Sequence, residues 1–137
     1  MKRTYTADVM ASIALFSRIT HVDPRDCFKQ QDNQLIFVVD EGKAGLAIGR
    51  GGANIQKMER IGKKRIKVVE YNPDACVFFA NIIYPLKAQS IQPSEKGIKV
   101  TITDTQIKAR LIGRNRQNLD KFEGLFHQYF KEEVEIV

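Results

Sequence analysis

Gly49-Arg50-Gly51-Gly52 concentrates more chemical possibility than any other stretch of the chain. Glycine lacks a Cβ, so a ligand can come close to main-chain N–H groups. Glu41 to Ile48 reads as a short helix before these residues, and a second helix follows with Ile55 and Met58 on one face. A turn placed there exposes N–H groups at the start of the second helix, where the helix dipole favours an anion. Arg50 adds a mobile cation. A phosphodiester group fits that environment. The plainer alternative is a tight turn between helices that binds nothing. The stretch is not a P-loop, because Gly45 to Arg50 lacks the Gly-Lys-Ser/Thr ending, and it lacks the third glycine of a dinucleotide fingerprint.

The same pattern recurs later in the chain. A shift of 64 residues places Asp40 on Asp104, Ile48 on Ile112, Gly49 on Gly113, Arg50 on Arg114, Asn54 on Asn118, Lys57 on Lys121 and Glu59 on Glu123. Those are seven identities over positions 40–59, and Ile55 meets Leu119 while Met58 meets Phe122. The preceding strand is expected to follow the same shift, with Ile36 on Val100 and Val38 on Ile102. One duplicated supersecondary unit explains the match. The second copy, Gly113-Arg114-Asn115-Arg116, keeps only the first glycine. Asparagine tolerates a left-handed backbone. Arg116 adds bulk and a further charge where the first copy has Gly52, so the second turn either binds with altered geometry or serves as a packing partner.

Other chemistry is poorly represented. Cys27 and Cys76 form no Cys-x-x-Cys pair, and His21 and His127 lie far from both, which argues against a zinc site. No nucleophile–base set or carboxylate pair emerges, and Glu132-Glu133 reads as a solvated pair. The expectation is a non-catalytic protein with no cofactor, no metal and no small-molecule substrate. Ala75 to Leu86 is the longest nearly apolar stretch, interrupted by Asn81 and Pro85, and too short to span a bilayer. The start, MKRTYTADVM, is not followed by an apolar leader core. A cytoplasmic protein with no membrane partner is expected. The formal charge of +6 favours a polyanionic partner.

The elements that position the two turns follow from periodicity and punctuation. Val9, Ile13 and Phe16 predict a helix over 7–19, with Thr6 as its cap. Strands are expected at Cys27 to Lys29, Leu35 to Val39 and Arg65 to Glu70. Tyr71-Asn72-Pro73-Asp74 is the boundary, giving units 1–72 and 73–137. In the second unit Asp74 caps a helix to about Tyr84, a strand covers Leu86 to Ile91, and Gln92 to Gly97 is a loop. Ile98, Val100 and Ile102 alternate as a half-buried strand. Thr103 and Gln106 have the spacing of a capping box for a helix reaching Ile112. Leu119, Phe122, Phe126 and Tyr129 share the face of the next helix, and Val134 to Val137 is the last strand. Phe78, Phe79 and Tyr84, with these aromatics, are expected mostly in the core, as is Ile55.

Each unit therefore reads helix, strand, strand, helix, glycine turn, helix, strand. AIGRGGANIQKM, residues 47–58, resembles the Gly-x-x-Gly region of a KH domain, and the element order resembles the type II arrangement. The resemblance covers nearly the whole chain. Two such units in tandem resemble the RNA-binding part of the NusA transcription-factor family, above all its short archaeal form. It implies an α+β fold of two tandem type II KH modules, each a three-stranded sheet covered by helices. It further implies single-stranded RNA as ligand, about four nucleotides per turn, with RNA polymerase as a further partner. Ile48, Gly49, Arg50, Gly51 and Gly52, flanked by Lys43 and Lys57, would form the first site. Ile112, Gly113, Arg114, Asn115 and Arg116, flanked by Arg110 and Lys121, would form the second. Ile48 and Ile55 would face splayed bases, with edges of the preceding strand reading them. Arg60, Lys63, Lys64, Arg65 and Lys67 either extend a basic track or form a solvated face. A KH protein of ribosome assembly or translation, and a protein-interaction scaffold, remain alternatives.

Overall fold

The structure, a computed structural model, describes residues 5–137. The first four residues of the start, where a leader would begin, lie outside the described residues. The chain divides into two compact units, Met1–Tyr71 and Asn72–Val137.

In the first unit the order is α1 (Ala7–Thr20), β1 (Asp26–Lys29), β2 (Gln34–Val39), α2 (Ala44–Ile48), α3 (Ala53–Gly62) and β3 (Arg65–Glu70). The sheet order is β1-β2-β3, with β1 antiparallel and β3 parallel to the central β2. Val9 and Phe16 bring the apolar stripe of α1 onto Leu35, Phe37 and Val39 of β2, together with Ala47 of α2 and Met58 of α3. Phe16 stacks on Phe37 with ring centroids 4.2 Å apart, and truncating such a buried ring costs about 3–5 kcal/mol. Ile55 packs against this core.

The second unit repeats the order: α4 (Ala75–Ile83), β4 (Ser90–Pro93), β5 (Gly97–Thr101), α5 (Thr105–Ile112), α6 (Gln117–Phe126) and β6 (Glu133–Ile136). Again β4 is antiparallel and β6 parallel to the central β5. Phe78 and Phe79 of α4 meet Phe126 of α6, the latter pair edge-to-face at 5.5 Å. All three are fully buried. Tyr84 departs from the core expectation: it is 64% exposed, just beyond the end of α4.

Several local expectations are corrected. Thr6 makes no side-chain cap to α1 and instead donates to the Asp8 carboxylate. Asp104, not Thr103, caps α5, accepting from Gln106 N at 2.9 Å and Ile107 N at 3.2 Å. Its counterpart Asp40 is held by Arg25 at 3.0 Å, and Gly42 at φ +81° turns the chain, so α2 starts at Ala44 rather than Glu41. Leu86 to Gln89 precede β4 instead of forming it. Pro93 lies within β4, paired opposite Ile98, because an edge strand can spare an N–H.

The repeat also slips by one residue in its strands. Tyr71 N donates to Val39 O and Val137 N to Val100 O, both at 2.8 Å, so Val39 and Val100 stand in the same phase of their ladders. The 64-residue shift would set Val100 on Ile36, in the opposite phase to Leu35, Phe37 and Val39. A shift of 63, with Val39 on Ile102, restores the phase. A one-residue slip exchanges the two faces of a strand. The central strand lies where the sequence places it, but the 64-residue alignment does not hold within it.

Candidate nucleic-acid interface

The first turn is made by three positive-φ glycines. Ala47 is fully buried and anchors α2. Glu70, at the end of β3, accepts the Ala44 N–H at 3.2 Å and so ties down the start of that helix. Gly49 then takes φ +82° and ψ 167°, a region essentially restricted to glycine. Gly51 (φ +60°, ψ 21°) and Gly52 (φ +78°, ψ 17°) are left-handed, and α3 begins at Ala53.

The hydrogen bonds of this turn leave two donors over. Gly49 N donates to Gly45 O at 3.0 Å, Gly52 N to Gly49 O at 3.1 Å, and Ala53 N to Arg50 O. The N–H groups of Arg50 and Gly51 donate to no acceptor among the described residues. Both residues are exposed. Paired outward amides at a helix N-terminus form an anion cradle. Arg50, Lys43 and Lys57 are exposed and make no ion pair among the described residues.

The second turn has the same contour from different residues. Gly113 (φ +74°, ψ 174°), Asn115 (φ +54°, ψ 34°) and Arg116 (φ +61°, ψ 18°) match Gly49, Gly51 and Gly52 in turn. Gly113 N donates to Ala109 O at 2.8 Å and Arg116 N to Gly113 O at 3.3 Å, while the Arg114 and Asn115 amides have no acceptor among the described residues. The glycine kept in both copies is the one whose conformation only glycine adopts. Arg116 is drawn along α6, its guanidinium 3.6 Å from Asp120 and 3.5 Å from Glu123. Arg110 and Arg114 are exposed and Lys121 is half-buried.

The surroundings differ from the sequence-based expectation in three ways. First, β2 is the central strand, hydrogen-bonded on both edges, so it has no edge to offer a base. Of the two edge strands, β1 and β3, it is β3 against which α2 packs. Arg65 N and Tyr71 N point to β2, so the alternate residues Ile66 and Val68 present their backbone outward. Glu59 takes the Ile66 N–H at 2.9 Å, and Val68 is left facing out. Second, Ile48 and Ile112 are half-buried, whereas Leu46 beside the first turn is 56% exposed; its apolar surface was missed. Third, much of the basic cluster is engaged. Arg65 pairs with Asp32 at 2.6 Å, and Lys64 lies 3.9 Å from Asp8. The Thr6 hydroxyl, then Lys29, hold the Asp8 carboxyl down at about 2. Burial lowers the Lys67 ammonium to about 8. Among the described residues no group of His, Cys, Asp and Glu could hold a metal ion, and no helix is long and apolar enough to cross a membrane.

Two helices joined by an amide-presenting glycine turn, laid on a three-stranded sheet with one parallel edge, define a class of nucleic-acid-binding module. The pattern of the KH domain family matches residues 12–84, and the chain belongs to that family. It is similar to archaeal proteins described as probable transcription termination protein NusA. The protein of Methanococcus vannielii is 31% identical over 120 residues, 85% of this chain and 68% of that one. That of Methanocaldococcus jannaschii is 28% identical over 129 residues, 92% and 70% of the two chains. The solved structure of APE1850 superposes with a TM-score of 0.73 at 29% identity, covering 97% of this chain and all of that one.

Proposed function

We propose that the chain is a single-stranded RNA-binding, NusA-like transcription factor of two tandem type II KH modules, 1–72 and 73–137, which acts by binding and performs no chemical step. The observation that carries this reading is the pair of undonated amides at Arg50 and Gly51, with the unpaired Arg50 side chain in the turn just before α3. That arrangement receives a sugar–phosphate chain, as KH turns do. Gly51, Gly52, Arg50, Lys43 and Lys57 would hold phosphates, with Ile48 against the bases. Gly113, Arg114, Asn115, Arg116, Arg110, Lys121 and Ile112 would form the second site. RNA polymerase is the proposed protein partner, on the strength of the relatives' names, and co-purification with it is the direct check.

The test is the double substitution Gly51→Asp and Gly52→Asp. Aspartate tolerates the left-handed backbone, so the fold should survive while negative charge meets phosphate. Binding to a pool of single-stranded RNA should weaken by tenfold or more, taking roughly 1.4 kcal/mol per factor of ten. The log–log salt slope should also become shallower, by about 0.7 for each phosphate that is no longer neutralised. A folded double variant with unchanged affinity removes the first turn from the interface.

A further inference from the structure

Within the two turns, Gly49 and Gly113 are the glycines beside which a side chain would collide with its neighbours. A Cβ built on Gly49 would lie 2.9 Å from the Asn54 Cγ and 3.0 Å from its Nδ2, and one on Gly113 would lie 2.8 Å from both atoms of Asn118. Gly51, by contrast, has nothing within 4 Å. The space beside each first glycine is therefore occupied by an asparagine from the first turn of the following helix. Asn54 Nδ2 donates to Leu46 O at 3.3 Å, and Asn118 Nδ2 donates to Arg110 O at 2.8 Å. Leu46 and Arg110 lie in the last turn of their helices, where carbonyls lack intrahelical partners. Each asparagine thus reaches across the turn and ties the end of one helix to the start of the next.

We infer that Asn54 and Asn118 are positioning residues that hold the glycine turn in the shape that receives a phosphodiester. The inference rests on the RNA-binding reading of the turn. The contact occurs twice, on different flanking residues: leucine and arginine supply the carbonyl, and Gly51-Gly52 is replaced by Asn115-Arg116. What persists is the glycine, the asparagine and the backbone carbonyl of the residue three before the glycine. Because the amide fills the space a Cβ would need, the first glycine stays at its unusual φ and ψ. The next two N–H groups then stay outside either helix. An asparagine that served the helix start alone would not need to cross to the preceding helix.

Asn54→Ala removes the donor and the side-chain part of the steric block, leaving the Asn54 backbone N at 3.0 Å. The variant should stay folded, with the transition measured by circular dichroism. Its affinity for single-stranded RNA should fall roughly tenfold, the scale of a missing hydrogen bond to a charged group. Hydrogen exchange and amide chemical shifts at Arg50 and Gly51 should report a change confined to the turn. Gly49→Ala should weaken binding in the native background, since its methyl displaces Asn54. In the Asn54→Ala background it should weaken binding less, because only the backbone part of the obstacle, Asn54 N at 3.0 Å, and the positive φ remain. Unchanged RNA affinity in folded Asn54→Ala, or strictly additive effects in this cycle, overturns the inference. The Gly51→Asp/Gly52→Asp variant separates the two failures. If it loses RNA and Asn54→Ala does not, only the positioning role falls. If both bind as the native chain does, the RNA reading of the turn falls and the positioning role with it.

Discussion

Gly52 and Arg116 occupy the same left-handed conformation, one at little cost and the other under strain. A non-glycine residue there loses about 1–2 kcal/mol. Arg116 offsets part of this through Asp120 and Glu123, but exposed pairs contribute only about 0.2–1 kcal/mol. Arg116→Gly should therefore raise the free energy of unfolding by about 0.5 kcal/mol, read from urea denaturation midpoints at constant slope. A loss of stability instead would mean that the two ion pairs outweigh the backbone strain. The same comparison explains the unequal fate of the glycines between the copies. Positions 115 and 116 sit where asparagine and arginine can be forced, whereas position 113 takes a conformation closed to both.

Among the elements, α4 and α5 each have a start fixed by a single aspartate, Asp74 and Asp104. Asp104 accepts two N–H groups of the first turn of α5, and replacing such a cap with alanine costs about 1 kcal/mol. Asp104→Ala should lower stability by that amount in chemical denaturation. Thr6→Ala should have a much smaller effect, because Thr6 makes no cap to α1. Caps of this kind also mark how far the sequence can be read. The helix–turn–helix core was legible because its glycines and apolar spacing are local signals. The choice between Thr103 and Asp104 was not, since both residues are good caps and only the backbone path decides. The strand slip was equally hidden. Leu35 to Val39 is buried on both faces, so alternation carries no phase, and Ile36 and Val38 look as core-like as Leu35 and Phe37. Asn54 and Glu59 were visible as repeated identities. Their roles were not, because Asn54 bonds a carbonyl eight residues back and Glu59 an amide seven residues on.

On the scale of the molecule, a chain with a net charge of +6 keeps one lysine where burial opposes its charge. Lys67 in β3 is held at about 8 rather than 10.5 by desolvation. The unfolded chain then binds more protons than the folded one between those values, so stability rises with pH across that window. Below about 8 the cost of the buried cation is fully present. Lys67→Met should be more stable than the native chain near neutral pH, and the gap should close as pH climbs from about 8 towards 10.5. Unfolding midpoints of the two proteins across that range check the prediction; a gap that stays constant would show that Lys67 does not titrate differently on folding.

The matching contours of the two turns have a consequence for change over time. A loop whose outline is imposed by its flanking helices does not depend on its tip residues for shape. Substitutions at the tip can then alter charge, bulk and reach without remodelling anything behind them. Duplication of such a unit yields a spare copy whose ligand preference is free to drift while its architecture stays put.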